Sequence, residues 1–174
     1  MRKRDRGFSL IELLIVVAII LIIVTIAIPN FTGTKISANE AAAQGTLRAI
    51  NTAEVTYNST YSSVGYAGTL VALGQPLSAA CVASPTSACL IDGVLANNGN
   101  PPGSGKSGYL YSITPGAAVG GVLVQYTALA VPVKKGQTGN KAFCATEDGI
   151  TRVDPAGVAS NAHDSCVSFN PASQ

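Results

Sequence analysis

Residues 8–28 read F-S-L-I-E-L-L-I-V-V-A-I-I-L-I-I-V-T-I-A-I, an apolar run broken by one charge, Glu12. Wound as a helix at about 1.5 Å per residue, this stretch is roughly 31 Å long, the thickness of a bilayer's hydrocarbon core. The residues before it, Met1-Arg2-Lys3-Arg4-Asp5-Arg6-Gly7, hold four bases and one acid. That cluster predicts a cytoplasmic start and an outward-facing remainder. A conventional secretory signal would have a shorter apolar stretch and a small-residue cleavage site; Thr25-Ile26-Ala27-Ile28-Pro29 is a poor one. A plain anchor leaves Glu12 unexplained. A carboxylate within a spanning helix costs roughly 3 kcal/mol or more and calls for a partner. The nearest candidate is a free α-amino group at the start of a neighbouring chain.

Composition narrows the classes further. Of 174 residues, 47% are hydrophobic and 11% charged, and the net charge is +2. So apolar a chain is not disordered, and its charge is too small for an electrostatic nucleic-acid binder. The basicity belongs to the start: without residues 1–7 the sequence holds seven Lys/Arg and eight Asp/Glu. A single His removes multi-histidine metal sites.

The string Lys3-Arg4-Asp5-Arg6-Gly7-Phe8-Ser9-Leu10-Ile11-Glu12-Leu13-Leu14 resembles the class III signal of type IV pilins and type II secretion pseudopilins. The resemblance is confined to the start of the chain. It implies cleavage between Gly7 and Phe8 by a prepilin peptidase, N-methylation of Phe8, and a role for Glu12 in subunit docking. It also implies a helix kink at Pro29. The leader is then 1–7 and the membrane and assembly helix 8–28. The partners implied are other copies of the chain in a helical homopolymer, the peptidase, the pilus or secretion assembly machinery, and the inner membrane before assembly. The head is expected in the periplasm and then on an extracellular filament.

Beyond Pro29 a helical pattern resumes and predicts an amphipathic continuation over 29–60. Leu47, Ile50, Ala53 or Glu54, Tyr57 and Tyr61 mark one face; Lys35, Glu40, Gln44 and Arg48 fall on more polar ones. From residue 61 the chain reads as a head with a Gly/Ser/Pro-rich variable loop (61–107), including a short turn of helix within 66–74. An antiparallel sheet follows (108–174). About four strands are expected: Tyr109–Thr114, Val122–Val133, Ala142–Thr146 and Ile150–Val153, the last two joined at Glu147-Asp148-Gly149. The fold class is α+β, a long amino-terminal helix packed on a small antiparallel sheet, pilin-like.

Cys81, Cys89, Cys144 and Cys166 lie beyond the apolar stretch. An even count in an exported domain suggests two disulfides, with three connectivities. Cys81–Cys89 and Cys144–Cys166 are favoured as local closures; buried free thiols are the alternative. No C-x-x-C supports zinc.

Three apparent motifs fail on inspection. Asn100-Pro101-Pro102-Gly103-Ser104-Gly105-Lys106-Ser107 ends like a P-loop but has Asn100 where Gly is needed and a strand after it. His163-Asp164-Ser165 tempts a hydrolase reading but has no nucleophile elbow, and His163 is expected in an exposed tail. Glu147, Asp148, Asp154 and Asp164 fit no dedicated calcium loop. No catalytic group, metal or cofactor is assigned. The favoured function is a structural filament subunit, with a type II secretion pseudopilin as the first alternative. A membrane-tethered periplasmic binding domain or enzyme is the alternative from another class.

Overall fold

The computed structural model describes residues 8–77, 80–158 and 162–172, with the side chains of 26–30 excluded. The expected leader, with Gly7, lies outside the described residues. Helix α1 runs unbroken over Leu10–Thr60. It passes through position 29, where the side chain of Pro29, and with it the expected kink, is outside the description. The chain divides into two compact units, 1–35 and 36–174.

In the first unit α1 presents apolar side chains on all sides, and every large one from Leu10 to Val24 is exposed. Among the described residues no helix is long and apolar enough to cross a membrane.

In the second unit the same helix changes character. Ala43, Leu47, Ile50, Ala53, Glu54 and Tyr57 are buried, on the face that the 3.6-residue period marks. They pack against strands β1 (Tyr109–Pro115), β4 (Tyr126–Pro132) and β5 (Ala142–Thr146) through Tyr109, Tyr111, Ile113, Tyr126, Ala128, Ala130 and Phe143. With β6 (Thr151–Asp154) these strands form an antiparallel sheet in the order β1-β4-β5-β6. The short side chains of Ala128 and Ala130 leave room for the helix beside three tyrosines. Strand alternation sends Leu129 and Cys144 to the opposite face, where they meet Cys166, with Val131 and Phe169 against them. Cys166 belongs to helix α4 (His163–Ser168). The sheet is thus covered on one face by α1 and on the other by α4, which is why β4 is buried at nearly every position.

One expectation needs correction. The run Val122–Val133 is not one strand. It divides into β3 (Val122–Leu123) and β4, and β3 pairs with β2 (Ala118–Val119) in a separate hairpin. Gly120 and Gly121, with φ of 61° and 85°, make the turn there, in a conformation that side chains resist. The expected loop segment 61–107 packs against the rest of the head. Helices α2 (Leu70–Leu73) and α3 (Gly93–Ala96) are capped by Thr69 and Asp92, and Leu70, Leu73, Ile91 and Leu95 join the core.

The helix is tied to the loop between β4 and β5 by polar contacts. Asn39 donates from Nδ2 to the Thr138 carbonyl at 2.8 Å, and the Asn140 amide donates to Glu40 Oε1 at 2.9 Å. Glu40, expected on a more polar face of the helix, is therefore a loop anchor.

Candidate assembly site and the head behind it

Ser9, Leu10, Ile11 and Glu12 open α1. The Ser9 backbone N–H donates to Glu12 Oε2 at 2.9 Å, and the Leu13 N–H donates to the Ser9 carbonyl at 3.2 Å. This is the carboxylate half of a capping box: an acid three residues into the helix satisfies an amide with no intrahelical acceptor. The Ser-x-x-Glu spacing is its signal in the sequence, and the charge argument above passes over it. Glu12 thus has a partner within its own chain, besides any it gains from another. Its second oxygen has no hydrogen-bond partner among the described residues, and Phe8, next to the site of expected cleavage, is exposed. Behind this polar end Leu10, Leu13, Leu14, Val17, Ala18 and Leu21 line one apolar groove along the helix. The Thr25 hydroxyl donates to the Leu21 carbonyl at 2.7 Å and adds no unsatisfied donor to that surface. Phe8 and Phe31 are exposed, whereas Tyr57 is buried and Tyr61, partly buried, packs against the core.

The head contains the remaining sequence candidates. Cys81 is bonded to Cys89 and Cys144 to Cys166. The first closes a short loop; the second fastens α4 to the sheet. His163 is not in an extended tail. It begins α4, and its Nε2 lies 2.9 and 3.0 Å from the two oxygens of Glu147. Imidazole and disulfide thus hold the two ends of one short helix.

Of the acids considered for calcium, Asp148 and Asp154 are occupied by protein donors. Asp148 accepts from Arg152, Thr146 and the Ile150 amide. Burial alone would raise its carboxyl; those donors outweigh it and hold the group below the usual range. Asp154 accepts from the amides of Ala156 and Val158. Among the described residues no cluster of metal-ligating side chains occurs. Lys106, the P-loop lookalike, is paired with Asp92 at 2.6 Å.

One group was not singled out as functional. Glu54 is fully buried, with Oε2 accepting from the Ala67 amide at 2.7 Å and Oε1 without a partner among the described residues. Burial pushes its pKa up to about 8, against the smaller opposing pull of the Ala67 N–H. Beside it Asn51 receives a hydrogen bond from the Tyr126 hydroxyl at 3.0 Å. The sequence placed Glu54 on the apolar face only as an alternative to Ala53; tertiary packing buries both.

Comparison with known proteins adds to this geometry. Residues 2–28 match the family described as the prokaryotic N-terminal methylation motif. A stretch of 54 residues is 48% identical to the type IV major pilin protein PilA of Myxococcus xanthus (strain DK1622), covering 31% of this chain. The chain spans about a quarter, 24%, of that relative's length. No solved structure matches the chain.

Proposed function

We propose that this type IV pilin-like protein is a structural subunit of a type IV pilus, cut after Gly7, methylated at Phe8 and assembled from the inner membrane through its apolar helix. One observation carries the reading. The methylation motif leads into a helix whose large apolar side chains from Leu10 to Val24 are all exposed. A surface of that kind is stable only against lipid or against other apolar helices. Lipid supplies the reservoir; copies of the same helix supply the filament core.

The chemistry of docking follows from Glu12. A lone carboxylate among packed apolar helices is costly unless paired. Cleavage creates one amine, at Phe8, in the same stretch. The amine of an incoming subunit beside Glu12 of one already placed neutralises both and fixes the axial stagger. The capping bond from Ser9 uses one carboxylate oxygen and orients the other. Pro29 marks where the assembled helix is expected to bend. A pilus is favoured over a secretion pseudopilin by the likeness to a type IV major pilin and by two disulfides in a Gly/Ser-rich head.

Sheared surface fractions should contain filaments made of this chain, with an intact mass that lacks residues 1–7 and carries one methyl group. Retention of the leader, or cleavage after Ala27, overturns the processing. Loss of secretion with normal filaments in a deletion strain selects the pseudopilin instead.

A further inference from the structure

Two surfaces of the head carry opposite charges and are not paired with each other in the structure. On the α1 side Arg48 is exposed, and no described carboxylate pairs with it. It sits where two grooves join. One is lined with Asn51, Thr52 and Val55, the other with Ile150 and Pro171, and Arg48 and Gly149 line both. The result is a cation flanked by exposed apolar side chains, Val55 and Ile150. On the α4 side Asp164 is fully exposed, and its one described ionic neighbour is His163 at 3.6 Å, which already faces Glu147. Three residues along α4, so on the same face, Val167 is exposed. That face offers an anion beside an apolar side chain. It is also rigid: α4 is held by the Cys144–Cys166 bond at one end and by His163–Glu147 at the other, so little ordering is lost when it docks.

The sheet lies between the two surfaces. Ala128 and Ala130 of β4 pack with α1, whereas Leu129 and Val131 pack with Cys166 of α4. A contact that joins opposite faces of identical heads is heterologous, and repeated it propagates as an open helix instead of closing as a two-fold dimer.

We propose that the Arg48 groove of one copy receives the Asp164–Val167 face of α4 from a second copy. This deepens the filament reading and rests on it: the helices form the core, and this contact sets how successive heads meet.

The test uses the full chain in its host membrane and in filaments. Arg48→Glu and Asp164→Lys are each expected to lower sheared filament yield at least tenfold at equal subunit level, and the double exchange is expected to restore it. A second measurement is independent of filaments. In Arg48→Lys cells, zero-length carbodiimide coupling should yield a subunit dimer whose linked peptide joins positions 48 and 164, and Asp164→Asn should abolish it. Single variants with wild-type yield, or a double exchange that fails to rescue two defective singles, would overturn the contact. So would coupling of position 48 to any other acid or to another protein, or no coupling at all. A 48–164 link in cells that make no filaments would sustain the contact and sink the pilus reading; filaments without the link would do the reverse.

Discussion

Glu12 and Glu54 stand on one helix and meet opposite surroundings. Glu12 belongs to a unit whose apolar side chains are exposed, and it reaches back to an amide three residues away. Glu54 belongs to a unit whose apolar side chains are buried, and it accepts from an amide thirteen residues away, beyond the end of the helix. The first carboxylate is the one proposed to meet a partner outside the chain; the second is enclosed by the chain itself. The same helix therefore carries an exposed apolar surface in one unit and a buried core stripe in the other, and that stripe includes a carboxylate oxygen with no partner among the described residues.

The largest expected effect breaks the comparison at Glu12. Glu12→Ala should leave leader cleavage, membrane insertion and the head intact and abolish or sharply reduce filaments. Glu12→Gln keeps the shape and the capping bond but loses the charge, so it separates the two roles. If capping alone mattered, Gln would assemble normally; the docking role requires a defect. Filament yield against total membrane subunit is the measurement, and normal yield from Glu12→Ala would make the carboxylate incidental.

Glu54 should respond to pH and not to assembly. Its folded pKa, about 8, lies above its ordinary value of 4.5. For an acid so raised, the unfolded chain ionises first. The stability the neutral group provides is complete below 4.5 and is lost as pH rises through about 8. Over that window the head should weaken by up to roughly 4 kcal/mol. Glu54→Gln keeps an acceptor for the Ala67 amide and cannot ionise, so its stability should be flat there. Thermal melts of the full chain in detergent at pH 5 and pH 8 decide this; an equal slope in both proteins would show that Glu54 does not drive it.

The legibility of the two units differs for the same physical reason. In the first, a membrane-length apolar run and a single acid have few readings, and the motif was readable from Gly7 to Glu12. What the charge argument missed, the capping role, was nevertheless in the spacing of Ser9 and Glu12. In the second, helical phase picked out Leu47, Ile50 and Tyr57, alternation located β1, and the Glu147-Asp148-Gly149 turn located β5. Phase alone left Ala53 and Glu54 unresolved because only tertiary packing decides how wide the buried stripe is. Val122–Val133 looked continuous because apolar content says nothing of where hydrogen bonding stops; the Gly120-Gly121 turn and the change of sheet supply that. His163 looked exposed because its partner, Glu147, is distant in sequence.

The disulfides offer an effect confined to the head. Replacing Cys144 and Cys166 with Ser frees a closure of 22 residues in sequence separation, against 8 for Cys81–Cys89. Chain entropy predicts a loss of about 3 kcal/mol for the longer closure and somewhat less for the shorter. Denaturation midpoints of the two Ser pairs should rank in that order, with leader cleavage unchanged in both. A larger loss from the Cys81–Cys89 pair would mean that the rim loop, and not the α4 clasp, holds the head together.

The smallest effect belongs to Lys106, and it closes the series of carboxylates at the solvent's edge. Lys106 Nζ lies 2.6 Å from Asp92 Oδ2, with side chains 35% and 47% exposed. Water and salt screen such a pair, so Lys106→Ala should cost no more than about 0.5 kcal/mol and less in high salt. Asp92 has a second task. Its Oδ1 accepts from the Leu95 amide at 3.0 Å and caps α3, so Asp92→Ala should cost about 1 kcal/mol more than Lys106→Ala. Burial alone would raise the Asp92 carboxyl. The Lys106 bond and the α3 amides outweigh it and lower the group. A lowered acid contributes stability above its ordinary pKa of 3.8 and loses it as pH falls through the folded value. Asp92 therefore acts on the acid side of the stability curve and Glu54 on the alkaline side. Lys106→Ala should shift only the acid limb, weakly, because the capping amides still hold the carboxylate. A melt series from pH 2 to pH 9 reads both limbs at once, and an alkaline shift in Lys106→Ala would show that the rim pair and the buried acid are coupled.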